Sequence, residues 1–310
     1  MPTQSQSPIF LISLPRSGST FLQKILMSHL EVDSSSETWF LLPLFYMDKK
    51  EGVKAEYGHQ TSVYAYKNIM LNVANKSFKY DLIRKFSESI YNELGSGASY
   101  FLDKTPRYYL ILDEIYKCFP GAKFIVLFRN PVSLFASNID YFLEGKMRRL
   151  DHLDHDFYTG PNLIGSFVQS YTDEVHIVRY EDLISNPEST VENICDYLNI
   201  PYQKDMINES FKVKLAYGLS DNNSETKYKK VRENDIKWKG VIDSRVRKIR
   251  LLSYLRKYPS NYLDIAGYSI DKLISSVSLH SVHKIGVVDF IFWLEEIAIR
   301  AIKRLMRYKY

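Results

Sequence analysis

The sequence predicts an α/β fold: a central parallel sheet flanked by helices, with a helical insertion and further helices toward the C-terminus. Three observations carry this expectation. Short apolar runs rich in β-formers recur along the chain, a tight polar turn follows each, and each turn opens an amphipathic segment. Strands that alternate with helices form a parallel sheet covered on both faces.

Residues 8–14, PIFLISL, form the first predicted strand. The turn is Pro15-Arg16-Ser17-Gly18-Ser19-Thr20, and the helix after it is apolar at Phe21, Leu22, Ile25, Leu26 and Leu30. Ser99–Asp103, SYFLD, reads as another strand, with a helix near 107–119. Lys123–Arg129, KFIVLFR, is the next; Asn130 suits an N-cap and Pro131 the first position of a helix running to about Phe142. Val175–Tyr180, VHIVRY, leads through Glu181-Asp182-Leu183 to Asn186-Pro187 and a helix with Val191, Ile194, Cys195 and Leu198 on one face. Residues 60–95 read as a helical insertion or cap. Residues 200–240 are polar and read as a long loop of the kind that carries binding function. Residues 243–310 read as helical. With no repeat, low-complexity tract or linker, one domain over 1–310 is expected: a core of about 8–240 and a helical extension of about 243–310.

Composition narrows the function. The chain has 310 residues, 45% hydrophobic and 25% charged, which excludes disordered, collagen-like and coiled-coil descriptions. Its 41 Lys and Arg against 36 Asp and Glu leave +5, too mild a surplus to predict nucleic-acid binding but suited to a small polyanionic ligand. Two cysteines, Cys118 and Cys195, make neither a disulfide framework nor a four-ligand zinc site, so two buried thiols are expected. The N-terminus lacks a basic signal-peptide region, and the apolar stretch Phe290–Leu294 is far short of a membrane span. No transmembrane segment and a cytoplasmic location are the expectation.

The strand–PRSGST–helix unit is the most informative feature. Gly18 permits a sharp turn, after which helix-start amides and the helix dipole attract an anion. Arg16 adds a fork matched to phosphate oxygens, and Ser17, Ser19 and Thr20 add hydroxyl donors. A nucleoside-triphosphate loop has Gly where Ser13 stands and Lys where Ser19 stands. No apolar strand ends in an Asp placed to hold magnesium. The unit is thus a P-loop-like phosphate cradle without that metal apparatus, and no metal is expected.

With these residues the chain resembles the sulfotransferases that use 3′-phosphoadenosine 5′-phosphosulfate (PAPS) and release the bisphosphate PAP. The resemblance implies that PRSGST holds the 5′-phosphosulfate. It also implies that Arg129, at a strand end, and Ser137, eight residues on in FIVLFRNPVSLFAS, grip the 3′-phosphate. VHIVRYEDLISNP is similar to the family's third strand and turn, which brings Tyr180 to the donor. GLSDNNSETKYKKVRENDIKWKG is similar to the late loop that closes over the donor and ends in Trp238 and Lys239, although it begins Gly218-Leu219-Ser220-Asp221 where the family often has Gly-Asp-Pro.

Sulfuryl transfer requires a proton acceptor, alignment of the nucleophile and neutralisation of the leaving phosphate. A similar placement in the tyrosylprotein sulfotransferases implies that Glu37 is the general base. Helix capping near Thr38-Trp39 is its plainer use, and Asp103 an alternative base. Lys104 in FLDKTP is implied to neutralise charge at the bridging oxygen, together with Arg16; a surface Lys is the plainer reading. RRLDHLDHDFYTG places His152 and His155 near Asp151, Asp154 and Asp156. A metal pair is conceivable there, but no further ligand is evident, so a solvent- or acceptor-facing loop is expected. His152 or His155 is the runner-up base, and His152, His155 and Trp39 are candidates to touch the acceptor.

In the last helix Val287, Ile291, Leu294, Ala298, Ala301, Leu305 and Tyr308 share one stripe, with Asp289, Glu296, Arg300, Lys303 and Arg307 opposite. Packing of that stripe on the chain's own core is preferred. Contact with an anionic membrane surface, or with a partner helix in a homo-oligomer, is the alternative. The resulting expectation is a PAPS-dependent sulfotransferase acting on a hydroxyl or amine of a small-molecule acceptor, such as a secondary metabolite. A carbohydrate or lipid head group is the alternative acceptor; a degenerate kinase and a nucleotide-binding module are the alternatives of another class.

Overall fold

The computed structural model describes residues 6–73, 75, 77–219 and 237–307, with side chains as far as 302. Five strands form one sheet: β1 (Ser7–Ser13), β2 (Val32–Ser34), β3 (Tyr100–Asp103), β4 (Lys123–Phe128) and β5 (Val175–Arg179). All described pairings are parallel, in the order β2-β3-β1-β4-β5. β1 lies in register with β3 through Phe10↔Asp103 and with β4 through Ser13↔Leu127. The three-residue β2 was not foreseen; Val-Asp-Ser lacks the apolar run by which the other strands are read.

The sheet is buried on both faces because its strands are apolar at successive positions. Phe10, Ile12, Phe124, Val126 and Phe128 point into one core, whereas Ile9, Leu11, Ile125 and Leu127 point into the other. The second core is covered by α1 (Ser19–Met27) and by the helix Pro187–Leu198 through Val191, Ile194, Cys195 and Leu198. The first is covered by α6 (Pro131–Phe142) and by helices from the C-terminal third. The helices between α1 and α6 are α2 (Leu41–Tyr46), α3 (His59–Leu71), α4 (Phe78–Leu94) and α5 (Leu112–Cys118). α3 and α4 form the insertion between β2 and β3. The helix expected near 107–119 begins with a 3₁₀ turn, Tyr108–Ile111. Tyr180, expected to end the last strand, instead opens a helix. Cys118 and Cys195 are buried free thiols, and burial pushes them up to about 12 and about 11.

The chain leaves β1 toward β2 and leaves β4 toward β5, so the winding direction reverses beside β1. Open α/β sheets bind ligands outside their carboxyl strand ends at such a reversal.

After α6 the helices are α7 (Gly160–Ser170), α8 (Tyr180–Ser185), α9 (Pro187–Leu198), α10 (Met206–Glu209), α11 (Trp238–Val241), α12 (Arg245–Leu255), α13 (Ser260–Ala266), α14 (Ile270–Leu279) and α15 (Val287–Arg307). The preferred reading of α15 is corrected. Its acids face the body: Asp289 pairs with Arg247 at 2.7 Å, and Glu296 pairs with Arg250 and, at 2.8 Å, with Arg300. Its apolar stripe faces outward. No helix among the described residues is long and apolar enough to cross a membrane.

Candidate active site

β1 ends at Ser13, and the turn to α1 is built by Arg16 at φ 68° and Gly18 at φ 92°. A Cβ on Gly18 would lie 2.4 Å from Cε2 of Tyr180, so only glycine permits that ring to cover the turn. The guanidinium of Arg129 lies 4.4 Å from the centre of the Tyr180 ring, and its Nη1 donates to the Arg16 carbonyl at 2.7 Å. The carboxyl ends of β1, β4 and β5 are thereby locked into one concave wall. Arg16 stacks its guanidinium 4.0 Å from the Tyr141 ring on α6. Ser137 is one helical turn before Tyr141 and therefore faces the same side.

A second group meets this wall from β2 and β3. Nζ of Lys104 is 2.8 Å from Oε1 of Glu37 and 3.4 Å from Oγ1 of Thr20. Nε1 of Trp39 donates to Oε2 of Glu37 at 3.0 Å. Both Glu37 oxygens are thus oriented, and four lone-pair directions leave room for a further partner. The Glu37 backbone pairs with Leu219 through N–H···O distances of 3.2 and 2.9 Å. Gly218 beside it has φ +83°, and a Cβ there would stand 2.5 Å from the Glu37 carbonyl. The start of the long loop is therefore clamped against the candidate base. Its continuation, Ser220 to 236, lies outside the described residues.

Arg16, Gly18, Ser19, Thr20, Glu37 and Trp39 line one cleft of about 320 Å³, with Pro15, Tyr141, Phe142, Pro106, Arg107, Asp156 and Leu219 completing it. Sequence reasoning missed Tyr141, Phe142 and Arg107. Buried Asp156 accepts from Tyr109 at 2.5 Å and from Arg107 at 3.0 Å. His152 and His155 are exposed and absent from the cleft lining; His152 meets Arg149 instead. The stretch instead delivers Asp156, buried in the π-helical turn His155–Thr159 that runs into α7. Trp238 is buried against His280, with ring centres 5.2 Å apart, on a short helix beside α6. Lys239 is exposed, and neither residue lines the cleft.

The C-terminal helices contribute support that no local motif signals. The Tyr262 hydroxyl, on α13, accepts from the Arg129 amide at 3.1 Å. Glu181 accepts from the Asn130 amide at 2.9 Å and from Tyr268 at 2.5 Å. These contacts fix the strand end that carries Arg129.

The cradle fits a doubly anionic group. α1 has neither a side-chain cap nor an acid in its first turn, which leaves its amides and dipole available to an anion. Ser17 is fully buried, and its hydroxyl has no hydrogen-bond partner among the described residues. Among those residues no cluster of three or more His, Cys, Asp or Glu could hold a metal ion.

Asp103, the alternative base, is wholly buried. Its carboxylate accepts from Tyr91 at 2.7 Å, Tyr108 at 3.0 Å and Thr38 at 2.9 Å. Burial outweighs these bonds and raises its pKa from 3.8 to about 6. The folded chain then holds this proton more tightly than the unfolded chain, so ionising Asp103 removes stability as pH rises from about 4 to about 6. Asp103→Asn cannot ionise. Across that window the wild type is expected to lose about 2–3 kcal/mol relative to it, read as a shift in the melting-temperature gap. A gap moving the other way would show that the tyrosine hydrogen bonds outweigh burial.

Comparison with known proteins agrees with this geometry. The family described as "Sulfotransferase family" matches residues 8–204, more than half of the chain. A putative protein-tyrosine sulfotransferase of Caenorhabditis briggsae is 24% identical over 224 residues, 69% of this chain and 72% of that protein. Nodulation protein NoeE of Sinorhizobium fredii is 28% identical over 130 residues, 41% of this chain; the match spans only 30% of that protein. Among solved structures, the sulfotransferase domain from the curacin biosynthetic pathway superposes with a TM-score of 0.53 at 21% identity, covering 82% of this chain and 98% of that one. The fold, the glycine cradle at the sheet reversal and the matched residues 8–204 place this chain in the sulfotransferase family.

Proposed function

We propose that the chain transfers a sulfuryl group from PAPS to a hydroxyl of a small-molecule acceptor. The observation that carries this is the single ammonium of Lys104, which joins Glu37 to Thr20 at the mouth of the Gly18 cradle. PAPS, when bound, supplies an activated sulfuryl group on a phosphate leaving group. Ser17, Ser19, Thr20 and the first amides of α1 hold its 5′ end, and Arg129 with Ser137 holds its second phosphate. Tyr180 packs between Arg129 and Gly18 and keeps that end rigid. Glu37 takes the acceptor's proton, while Arg16 and Lys104 supply fixed positive charge where negative charge develops. Trp39 holds Glu37 in orientation through its indole N–H.

The cleft supports a small acceptor. About 320 Å³ walled by Trp39, Pro106, Tyr141, Phe142 and Leu219 matches the size and apolar character of small-molecule sites. Incubation with labelled PAPS and pools of phenols, alcohols, sugars and amines, read by mass spectrometry, tests the reading. The expected product carries one added sulfuryl group; transfer only to sugars would move the acceptor class. Turnover is expected to survive excess chelator, because Arg16, Lys104 and backbone amides provide the positive charge. Loss of turnover in EDTA, restored by magnesium, would favour a kinase-like reaction instead.

A further inference from the structure

We propose that α15 seats the chain on an anionic lipid surface. The outward stripe is continuous: Val287, Phe290, Ile291, Leu294, Ile297 and Ile302 are each 45–61% exposed. At about 100° per residue these positions fall within a sector of about 140°, so they form one apolar face along a 21-residue helix.

Charge identifies the occupant. Two of the helix's three acids, Asp289 and Glu296, are turned into the body and neutralised by Arg247, Arg250 and Arg300. Glu295, the remaining acid of the helix, pairs with Arg148 at 3.5 Å. Arg300 in turn pairs with Asp154 at 2.9 Å, anchoring the helix to the body. From Arg300 onward the sequence carries Arg300, Lys303, Arg304, Arg307 and Lys309 and no acid, and His283 and Lys284 precede the helix. The C-terminal part of the helix is therefore basic, whereas just before its start Lys284 already pairs with Asp243 at 3.0 Å. A second copy docking there in parallel would bring cation against cation. An anionic lipid surface meets the same pattern with opposite sign and accepts the apolar stripe between head groups. This inference stands apart from the sulfuryl-transfer reading, and its test needs neither donor nor acceptor.

The test is co-sedimentation of the full chain with vesicles of phosphatidylcholine, alone or with about one-third phosphatidylserine. The wild type is expected to bind the anionic vesicles about tenfold or more better than the neutral ones, with the preference fading at high salt. Ile291→Glu with Leu294→Glu changes two half-exposed side chains; it should leave the melting temperature unchanged and lower anionic-vesicle binding by about tenfold or more. Arg304→Glu with Arg307→Glu should remove the preference for anionic over neutral vesicles. Wild type that stays in the supernatant with both vesicle types would overturn the proposal, as would a double-glutamate variant that binds like wild type. A lipid-free dimer in sedimentation velocity, dissolved by the same double-glutamate change, would assign the face to a second copy and overturn it as well.

Discussion

Replacing Glu37 by Gln is expected to lower turnover by about 100-fold or more while product-nucleotide affinity stays near wild type. The change keeps the shape of the side chain and an acceptor for Lys104 or Trp39, but removes the carboxylate that takes a proton. Nucleotide affinity should hold because the contacts proposed for the phosphates come from other strand ends. The capping alternative has no geometric support: α2 begins at Leu41, with Phe40 as its N-cap. Loss of the Lys104 ion pair should lower stability by about 1–3 kcal/mol, which the melting temperature reports separately from turnover. With an amine acceptor the dependence on Glu37 should weaken at high pH, where the amine is already unprotonated. Turnover near wild type would remove Glu37 from the chemistry. Asp103, sealed behind Tyr91, Tyr108 and Thr38, and the exposed His152 and His155 stand poorly placed to replace it.

Replacing Arg129 by Ala is expected to lower affinity for adenosine 3′,5′-bisphosphate by about 10- to 150-fold, the scale of one lost charged hydrogen bond. Affinity for adenosine 5′-monophosphate should change far less, so the preference between the two should collapse. Arg129 also braces the cradle through the Arg16 carbonyl and the Tyr180 ring, so some loss common to both nucleotides is expected. Arg129→Lys separates the two effects: it keeps the charge and loses the fork, and should recover part of the preference. A preference that survives in Arg129→Ala would place the second phosphate elsewhere.

What was legible in the sequence was what is local. A strand, a glycine turn and a helix start are adjacent in the chain, so PRSGST and Arg129-Asn130-Pro131 announce their geometry; the Asn130 side chain does cap α6 by accepting from the Val132 amide. β2 was not legible because a three-residue edge strand carries no pattern. Tyr262 and Arg129 are 133 residues apart, and only tertiary packing of α13 on the sheet brings them together. Asp156 was noticed, but its inward orientation depends on Tyr109 and Arg107 from another segment. The periodicity of α15 correctly marks two faces. It does not say which faces inward; Arg247 and Arg250 on α12 decide that by pairing with its acids.

The cradle and Arg129 together are expected to read a nucleotide phosphorylated at both ends. Calorimetric titration of the wild type with adenosine 3′,5′-bisphosphate and with adenosine 5′-monophosphate measures this without knowledge of the acceptor. The bisphosphate is expected to bind at least about tenfold more tightly, since the extra phosphate gains one or more charged hydrogen bonds. Equal affinity for the two nucleotides would contradict it.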